Sequence, residues 1–90
     1  MESAPLEPPS VALARKDLAL RLGVDPSEVE VASHAEVDWP DASLGCPQPG
    51  MRYKQVVTNG TLTILTIDGR EYRYHAGGGR LPFLCTAGEQ

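Results

Sequence analysis

The sequence predicts an α+β fold in which one N-terminal helix packs on an antiparallel meander sheet of four or five strands. Apolar residues recur at helical spacing near the start of the chain, from Val11 to Leu22. Residues 29–39 then alternate with period two, as a strand covered on one side does. Two dipeptides typical of tight hairpins follow, Asn59-Gly60 and Asp68-Gly69. A helix followed by a run of strands indicates the α+β class.

The predicted helix begins at Ser10, because serine is a favoured helix N-cap. Gly23 marks its end, since glycine adopts the left-handed conformation there without steric cost. Residues 25–28 (Asp-Pro-Ser-Glu) predict a single further helical turn. The apolar stripe expected to face the sheet comprises Val11, Leu13, Ala14, Leu18, Ala19 and Leu22.

The first predicted strand, residues 29–39, has one apolar face and one acidic face. We expect the apolar face to be covered and the acidic face to be exposed to solvent. The first face consists of Val29, Val31, Ser33, Ala35, Val37 and Trp39, and the second of Glu30, Ala32, His34, Glu36 and Asp38.

The two hairpin signals divide the next part of the chain into strands. Residues 51–57 alternate as a strand does, and Asn59-Gly60 predicts a turn from them into residues 61–67. Asp68-Gly69 predicts a second turn, into residues 70–75. These strands form the antiparallel meander.

The end of the chain predicts a closing edge. Tyr72 and Tyr74 share a strand face, and we expect them to pack beneath the helix. Residues 77–79 are three glycines, which we interpret as a flexible link. Residues 81–85 then form a short segment that Pro82 confines to a sheet edge.

Ninety residues correspond to one domain, which we place at residues 10–90 behind a flexible, proline-rich tether at residues 1–9. We predict no signal peptide in this sequence, because residues 1–9 lack a basic segment followed by an apolar run, and no apolar run is long enough to span a membrane. Its net charge is −4, with nine acidic and three basic residues in 1–41 but three acidic and five basic residues in 42–90. No basic stripe with interleaved aromatic residues is present, which argues against nucleic-acid binding. We expect a monomer.

A disulfide between Cys46 and Cys85 is predicted, because a core this small gains much from a covalent link. The bond closes a loop of roughly 40 residues, for which the chain-entropy model gives about 4 kcal/mol of stabilisation. It implies export to the periplasm, the cell surface or the medium. The alternative is two unrelated buried thiols in a cytosolic protein.

No catalytic, cofactor or metal site is predicted. Cys46 and Arg52 have the Cys-x5-Arg spacing of cysteine phosphatases, and Trp39-Pro40-Asp41 spells their acid-loop tripeptide. However, Pro47 and Pro49 lack the backbone N–H groups that a phosphate site requires. His34 and His75 are expected on solvated strand faces, without the third ligand that a metal site needs.

The loop between the first two strands is the candidate site for a partner protein, either a peptidase or an envelope component. Its prolines fix φ before anything binds, which lowers the entropy cost of association. One hypothesis is a peptidase inhibitor whose rigid 40–50 segment presents Leu44 as an apolar anchor. The alternative is a structural or accessory domain in which Trp39 and Leu44 fold inward and the loop only caps the core. The candidate residues are Trp39, Pro40, Asp41, Ser43, Leu44, Gly45, Pro47, Gln48 and Pro49.

The segment Trp39 to Gly50 (Trp-Pro-Asp-x-Ser-Leu-Gly-Cys-Pro-x-Pro-Gly) carries a family resemblance, together with residues 17–24, Tyr53, Gln55 and residues 72–75. It resembles a family of small exported bacterial domains, often attached to a lipoprotein-type leader, that has no settled activity. The resemblance implies export, pairing of Cys46 with Cys85 and no catalytic residues. It leaves open whether a lipid anchor precedes residue 1 in the precursor.

Overall fold

A computed structural model describes residues 7–86. Helix α1 spans Pro9–Leu22 and a 3₁₀ turn spans Pro26–Glu28. The four strands are β1 (Glu30–Trp39), β2 (Thr58–Ile67), β3 (Arg70–Gly77) and β4 (Arg80–Leu84). They form one antiparallel sheet in the order β1-β2-β3-β4, and α1 packs against it. The predicted α+β meander is therefore confirmed, with four strands.

Helix α1 begins at Pro9 and has Pro8 as its N-cap residue, so the predicted Ser10 cap is wrong. Proline is tolerated at the first helical position, because the N–H that it lacks has no intrahelical partner there. Gly23 ends the helix with φ of 69°, as predicted. Of the tether predicted at residues 1–9, residues 1–6 lie outside the described residues.

The buried stripe of α1 is narrower than predicted. Its buried residues are Val11, Ala14, Leu18 and Ala19. Leu13 and Leu22, predicted in this stripe, are 43% and 41% exposed.

The core lies between α1 and the sheet face beneath it, which we call the helix face. Tyr74 is buried there, and Tyr72 packs against the cluster, which confirms their predicted place under the helix. The cluster comprises Ala14, Leu18, Ala19, Val29, Leu65, Ile67 and Tyr74.

A β-bulge in β1 reverses the predicted faces of that strand. Val31 pairs with Leu65, but Ser33 pairs with the adjacent Ile64, so one extra residue lies between them. Val29 and Val31 therefore belong to the helix face. Beyond the bulge the odd-numbered residues, ending at Trp39, point to the opposite face, which we call the open face. The expectation that all odd residues of 29–39 share one face is wrong for this reason.

The predicted hairpin at Asn59-Gly60 is also wrong. Both residues lie inside β2, where they pair with Asp38 and Val37 of β1. Residues 51–57 form no strand and belong to a long connection between β1 and β2.

The later turns are tight. Asp68-Gly69 forms the predicted hairpin, with φ of 52° and 81°, the signs that a type I′ turn requires. Gly78 and Gly79 have φ of 56° and 84°, so the predicted flexible link is instead a second tight hairpin between β3 and β4. Strand β4, which contains Pro82, lies at the sheet edge as predicted.

One polar contact fixes α1 on the sheet. The Tyr74 hydroxyl donates to Asp17 Oδ2 at 2.6 Å, and Arg21 Nε donates to the same oxygen at 2.6 Å. Partial burial raises the pKa of Asp17, but the hydrogen bonds from Tyr74 and Arg21 and the Arg21 charge outweigh it and hold that pKa below its ordinary value. Burial, together with the bond to Asp17, raises the pKa of Tyr74.

Substitution Tyr74→Phe is expected to lower the free energy of unfolding by about 1.5 kcal/mol at neutral pH, because it removes a hydrogen bond to a carboxylate. The pKa of Asp17 is lower in the folded state, so its ionised form stabilises the fold above an unfolded pKa of about 3.9. This contribution is lost as the pH falls through the lower folded value. Urea unfolding at neutral pH and below about pH 3 should therefore show the cost of Tyr74→Phe shrinking in acid.

Tyr72→Phe is the matched control, because the Tyr72 hydroxyl has no hydrogen bond to any residue from 7 to 86. It should cost little at either pH. An equal cost of Tyr74→Phe at both pH values would contradict the assignment of this bond to ionised Asp17.

Candidate functional site

The site is built around the indole ring of Trp39, which lies across the open face of the sheet. Trp39 ends β1, yet its Nε1–H donates to the carbonyl oxygen of Ala76 in β3 at 2.9 Å. The ring therefore spans the intervening strand β2. It stacks on the imidazole of His75, with ring centroids 4.8 Å apart and an interplanar angle of 5°.

Gly60 is the point at which the indole crosses β2. A Cβ at this position would lie 1.9 Å from the Ala76 carbonyl oxygen and 2.7 Å from Trp39 Nε1. The glycine of Asn59-Gly60 therefore provides space for the ring and for the neighbouring strand. This is why a dipeptide typical of hairpin turns occurs within a strand.

The first half of the loop, residues 40–46, meets the Trp39 ring at Gly45. A Cβ on Gly45 would lie 2.3 Å from Trp39 Cζ3, so only glycine allows this approach. Leu44 is 2% exposed, and its Cδ2 packs closely against Gly77. Its carbonyl oxygen lies 2.7 Å from His75 Nδ1. Because a carbonyl can only accept, Nδ1 is the protonated nitrogen of His75.

Hydrogen bonds within the loop hold Leu44 in its left-handed conformation, with φ of 58°. The Asp41 carboxylate accepts from the Ser43 hydroxyl at 2.6 Å and from the Ser43 backbone N–H at 2.9 Å. These bonds lower the pKa of Asp41. The Cys46 N–H donates to the Ser43 carbonyl at 3.1 Å, so the chain turns sharply between Asp41 and Cys46.

The predicted disulfide is confirmed. Cys46 and Cys85 are bonded, with their Cα atoms 5.8 Å apart, and both residues are buried. The bond links the buried half of the loop to the residue that follows β4. Cys85 is itself held on the sheet by its N–H, which donates to the Arg73 carbonyl at 2.9 Å.

The second half of the loop is exposed. Residues 47–50 are exposed, and Gly50 has φ of 79° at a turn that the Met51 N–H closes on the Gln48 carbonyl at 3.2 Å. The Gln48 N–H also donates to the Tyr53 hydroxyl at 3.1 Å. Met51 at the end of this turn is 61% exposed. We call residues 47–53 the exposed turn.

The loop residues singled out from the sequence thus divide into two groups. The expectation that Leu44 projects as an apolar anchor is wrong, because Leu44 is buried against the sheet. Ser43 is buried as well, whereas Trp39 and Asp41 are half-buried. The exposed members are Pro40, Gly45, Pro47, Gln48 and Pro49.

The two histidines lie on opposite faces of the sheet. His34 pairs with Thr63 on the helix face, where their side chains form a hydrogen bond of 2.8 Å. His75 is 6% exposed on the open face, so its predicted solvated position is wrong. Within residues 7–86 no group of three His, Cys, Asp or Glu residues is placed to hold a metal ion.

His75 is the site residue that the sequence did not reveal. Its ring stacks on Trp39 and lies 6.1 Å from the Phe83 ring, centroid to centroid. Its Nε2 is buried without a hydrogen-bond partner among residues 7–86. The alternation of β3 predicts that His75 and Tyr74 lie on different faces of the sheet. It gives no sign that the loop covers the face on which His75 lies.

A groove of about 440 Å³ opens beside the loop, between the approach to β2 and the β3–β4 turn. We call it the loop groove. It is lined by Ala42, Leu44, Lys54, Val56, Thr58, Gly77, Gly78 and Arg80.

Comparison with protein families found one match, over residues 11–85, to the model described as "Domain of unknown function (DUF8738)". The chain belongs to this family. No curated protein and no solved structure matches it. In the described part of the chain, α1 is too short and too polar to cross a membrane.

Substitution Gly60→Ala is expected to lower the free energy of unfolding by about 3 kcal/mol, because the new methyl group overlaps the Ala76 backbone and the indole ring. The fluorescence of Trp39, the only tryptophan, should also shift to longer wavelength as the ring is displaced. Chemical denaturation monitored by tryptophan emission measures both effects.

Gly50→Ala is the matched control, since a Cβ there meets nothing within 4 Å. Its positive φ should cost about 1 kcal/mol and leave the emission unchanged. A Gly60→Ala variant no less stable than Gly50→Ala would contradict the crossing of the ring at this position.

Proposed function

We propose that this member of the DUF8738 family is an exported, non-enzymatic binding module that contacts a partner protein through the exposed turn, residues 47–53. The observation that carries the proposal is the division of one loop into two halves. Residues 43, 44 and 46 are buried against the sheet, while residues 47–50 are exposed beside them. The buried half serves as a base that holds the exposed half in place.

The exposed turn is pre-organised for binding. Pro47 and Pro49 fix two φ angles, and the turn is closed by the Met51–Gln48 and Gln48–Tyr53 hydrogen bonds. The disulfide at Cys46 fixes its first end. A segment already ordered in this way loses little conformational entropy when it binds.

The specific form of the proposal is a peptidase inhibitor that enters the active-site cleft in the manner of a substrate. Met51 replaces Leu44 as the apolar anchor, because it is 61% exposed and directly follows the rigid Pro49-Gly50 turn. The disulfide holds the chain before Met51, and the Ala42 N–H, which donates to the Lys54 carbonyl at 2.9 Å, holds the chain after it. A segment anchored on both sides resists release after cleavage, since its two ends remain held together.

Export is supported by the disulfide, which forms in oxidising compartments. We assign no cofactor to the site. What it offers a partner is a rigid surface. We propose that the module acts as a monomer.

A second candidate is a structural or accessory domain whose loop only caps its own core. The burial of Leu44 and its contacts with Gly77 and His75 favour this function for residues 40–46. It gives no role to the exposure of residues 47–52. The two candidates therefore differ in what substitution of the exposed turn does.

Substitution Met51→Glu is expected to abolish inhibition of a chymotrypsin-like or subtilisin-like peptidase while leaving the melting temperature almost unchanged. The physical reason is that a charged side chain cannot enter an apolar specificity pocket, yet at this exposed position it disturbs no packing. Inhibition constants across a panel of peptidases, with thermal melts of both proteins, test this.

Leu20→Glu is the matched control, because Leu20 is a 76% exposed apolar residue on α1, away from the loop. It should inhibit as the parent protein does. If the parent protein inhibits no enzyme of the panel, the inhibitor form is wrong. A large loss of stability in Met51→Glu would favour the capping candidate.

A further inference from the structure

We propose that the loop groove binds an extended segment of a partner protein that carries acidic side chains next to apolar ones. This proposal rests on the proposed binding function and names the chemistry of the partner. It concerns a surface beside the exposed turn and does not require that the partner be a peptidase.

The walls of the groove fit an extended chain. Its lining includes the buried Leu44, together with Gly77 and Gly78, which present bare backbone. Val56, also in the lining, is 56% exposed. A partner's apolar side chain can therefore contact Leu44 and Val56.

The charge of the groove selects an acidic occupant. Lys54 and Arg80 are its only charged lining residues, and neither forms a salt bridge with any residue from 7 to 86. The carboxylate next to the lining, that of Asp41, hydrogen-bonds Ser43 and forms no salt bridge with Lys54 or Arg80. The chain as a whole has a net charge of −4, so this basic groove stands out from an acidic molecule.

Arg80 is already positioned for this role. Its guanidinium carbon lies 4.1 Å from the centroid of the Phe83 ring. Stacking on an aromatic face leaves the N–H donors of the guanidinium plane free for a carboxylate. A cation held in this way loses less side-chain entropy when it pairs.

The main chain beside the groove adds a second point of recognition. Residues 51–57 run without helix, turn or bend, and they alternate as a strand does. Among residues 7–86 the backbone N–H groups of residues 52–57 have no hydrogen-bond partner, whereas the Lys54 carbonyl accepts from the Ala42 N–H and the Val56 carbonyl accepts from the Thr58 hydroxyl. The N–H groups of this stretch can therefore donate to the carbonyl oxygens of an extended segment laid beside it.

The test uses a fluorescein-labelled peptide of about seven residues that alternates Glu and Val, with a Lys-Val peptide of the same length as its charge-reversed control. Amide ¹H–¹⁵N spectra should show shifts confined to residues 54–58 and 77–80 on addition of the Glu-Val peptide alone. In anisotropy titrations, the double variant Lys54→Glu/Arg80→Glu should bind about tenfold more weakly or worse. Lys16→Glu/Arg70→Glu makes the same change in net charge away from the groove and should retain binding.

Groove amides that do not shift at millimolar Glu-Val peptide would overturn the proposal, whatever the peptidase panel shows. Equal binding of the Lys-Val peptide, or equal losses in both double variants, would also overturn it. Binding that survives Met51→Glu but not Lys54→Glu/Arg80→Glu supports the groove independently of peptidase inhibition.

Discussion

The position of the Trp39 ring is the constraint on which the rest of the open face depends. The ring starts on β1, crosses β2 above Gly60 and reaches the Ala76 carbonyl of β3. It brings three strands under one side chain and provides the surface on which Gly45 packs. His75 joins this surface to the loop, because it stacks on the indole and donates to the Leu44 carbonyl.

This arrangement gives the loop two physical roles. Ser43, Leu44 and Cys46 are buried as residues of a protein interior are, and the disulfide adds a covalent link to Cys85, which follows β4. Residues 47–53 gain a fixed geometry from that base without being covered by it. A capping loop and a binding loop are therefore compatible descriptions of successive parts of one segment. Ala42 and Leu44 of the first half of the loop also line the groove that contains Lys54 and Arg80.

The elements governed by local rules could be predicted from the sequence. Helix α1, the Asp68-Gly69 turn and the Cys46–Cys85 pair follow from spacing, turn chemistry and size. The Ser10 cap and the link at residues 77–79 failed on local grounds, but the failures around the site share one cause, which is contact between residues distant along the chain. Position 60 requires glycine because Trp39 and Ala76 leave no room for a Cβ, and not because Asn59 and Gly60 form a turn. His75 and Leu44 each help to bury the other, so neither burial is visible from local sequence. The bulge in β1 is not visible either, because the alternation of residues 29–39 continues through it without a break.

The most direct test of this account is the protonation state of the two ring nitrogens of His75, read from long-range ¹H–¹⁵N NMR spectra at mildly alkaline pH. If the loop is held by the Leu44 carbonyl, His75 is protonated at Nδ1, and the Trp39 indole proton exchanges with D₂O only when the sheet opens. An imidazole protonated at Nε2, together with a rapidly exchanging indole proton, would show that the ring and the loop are not joined in this way.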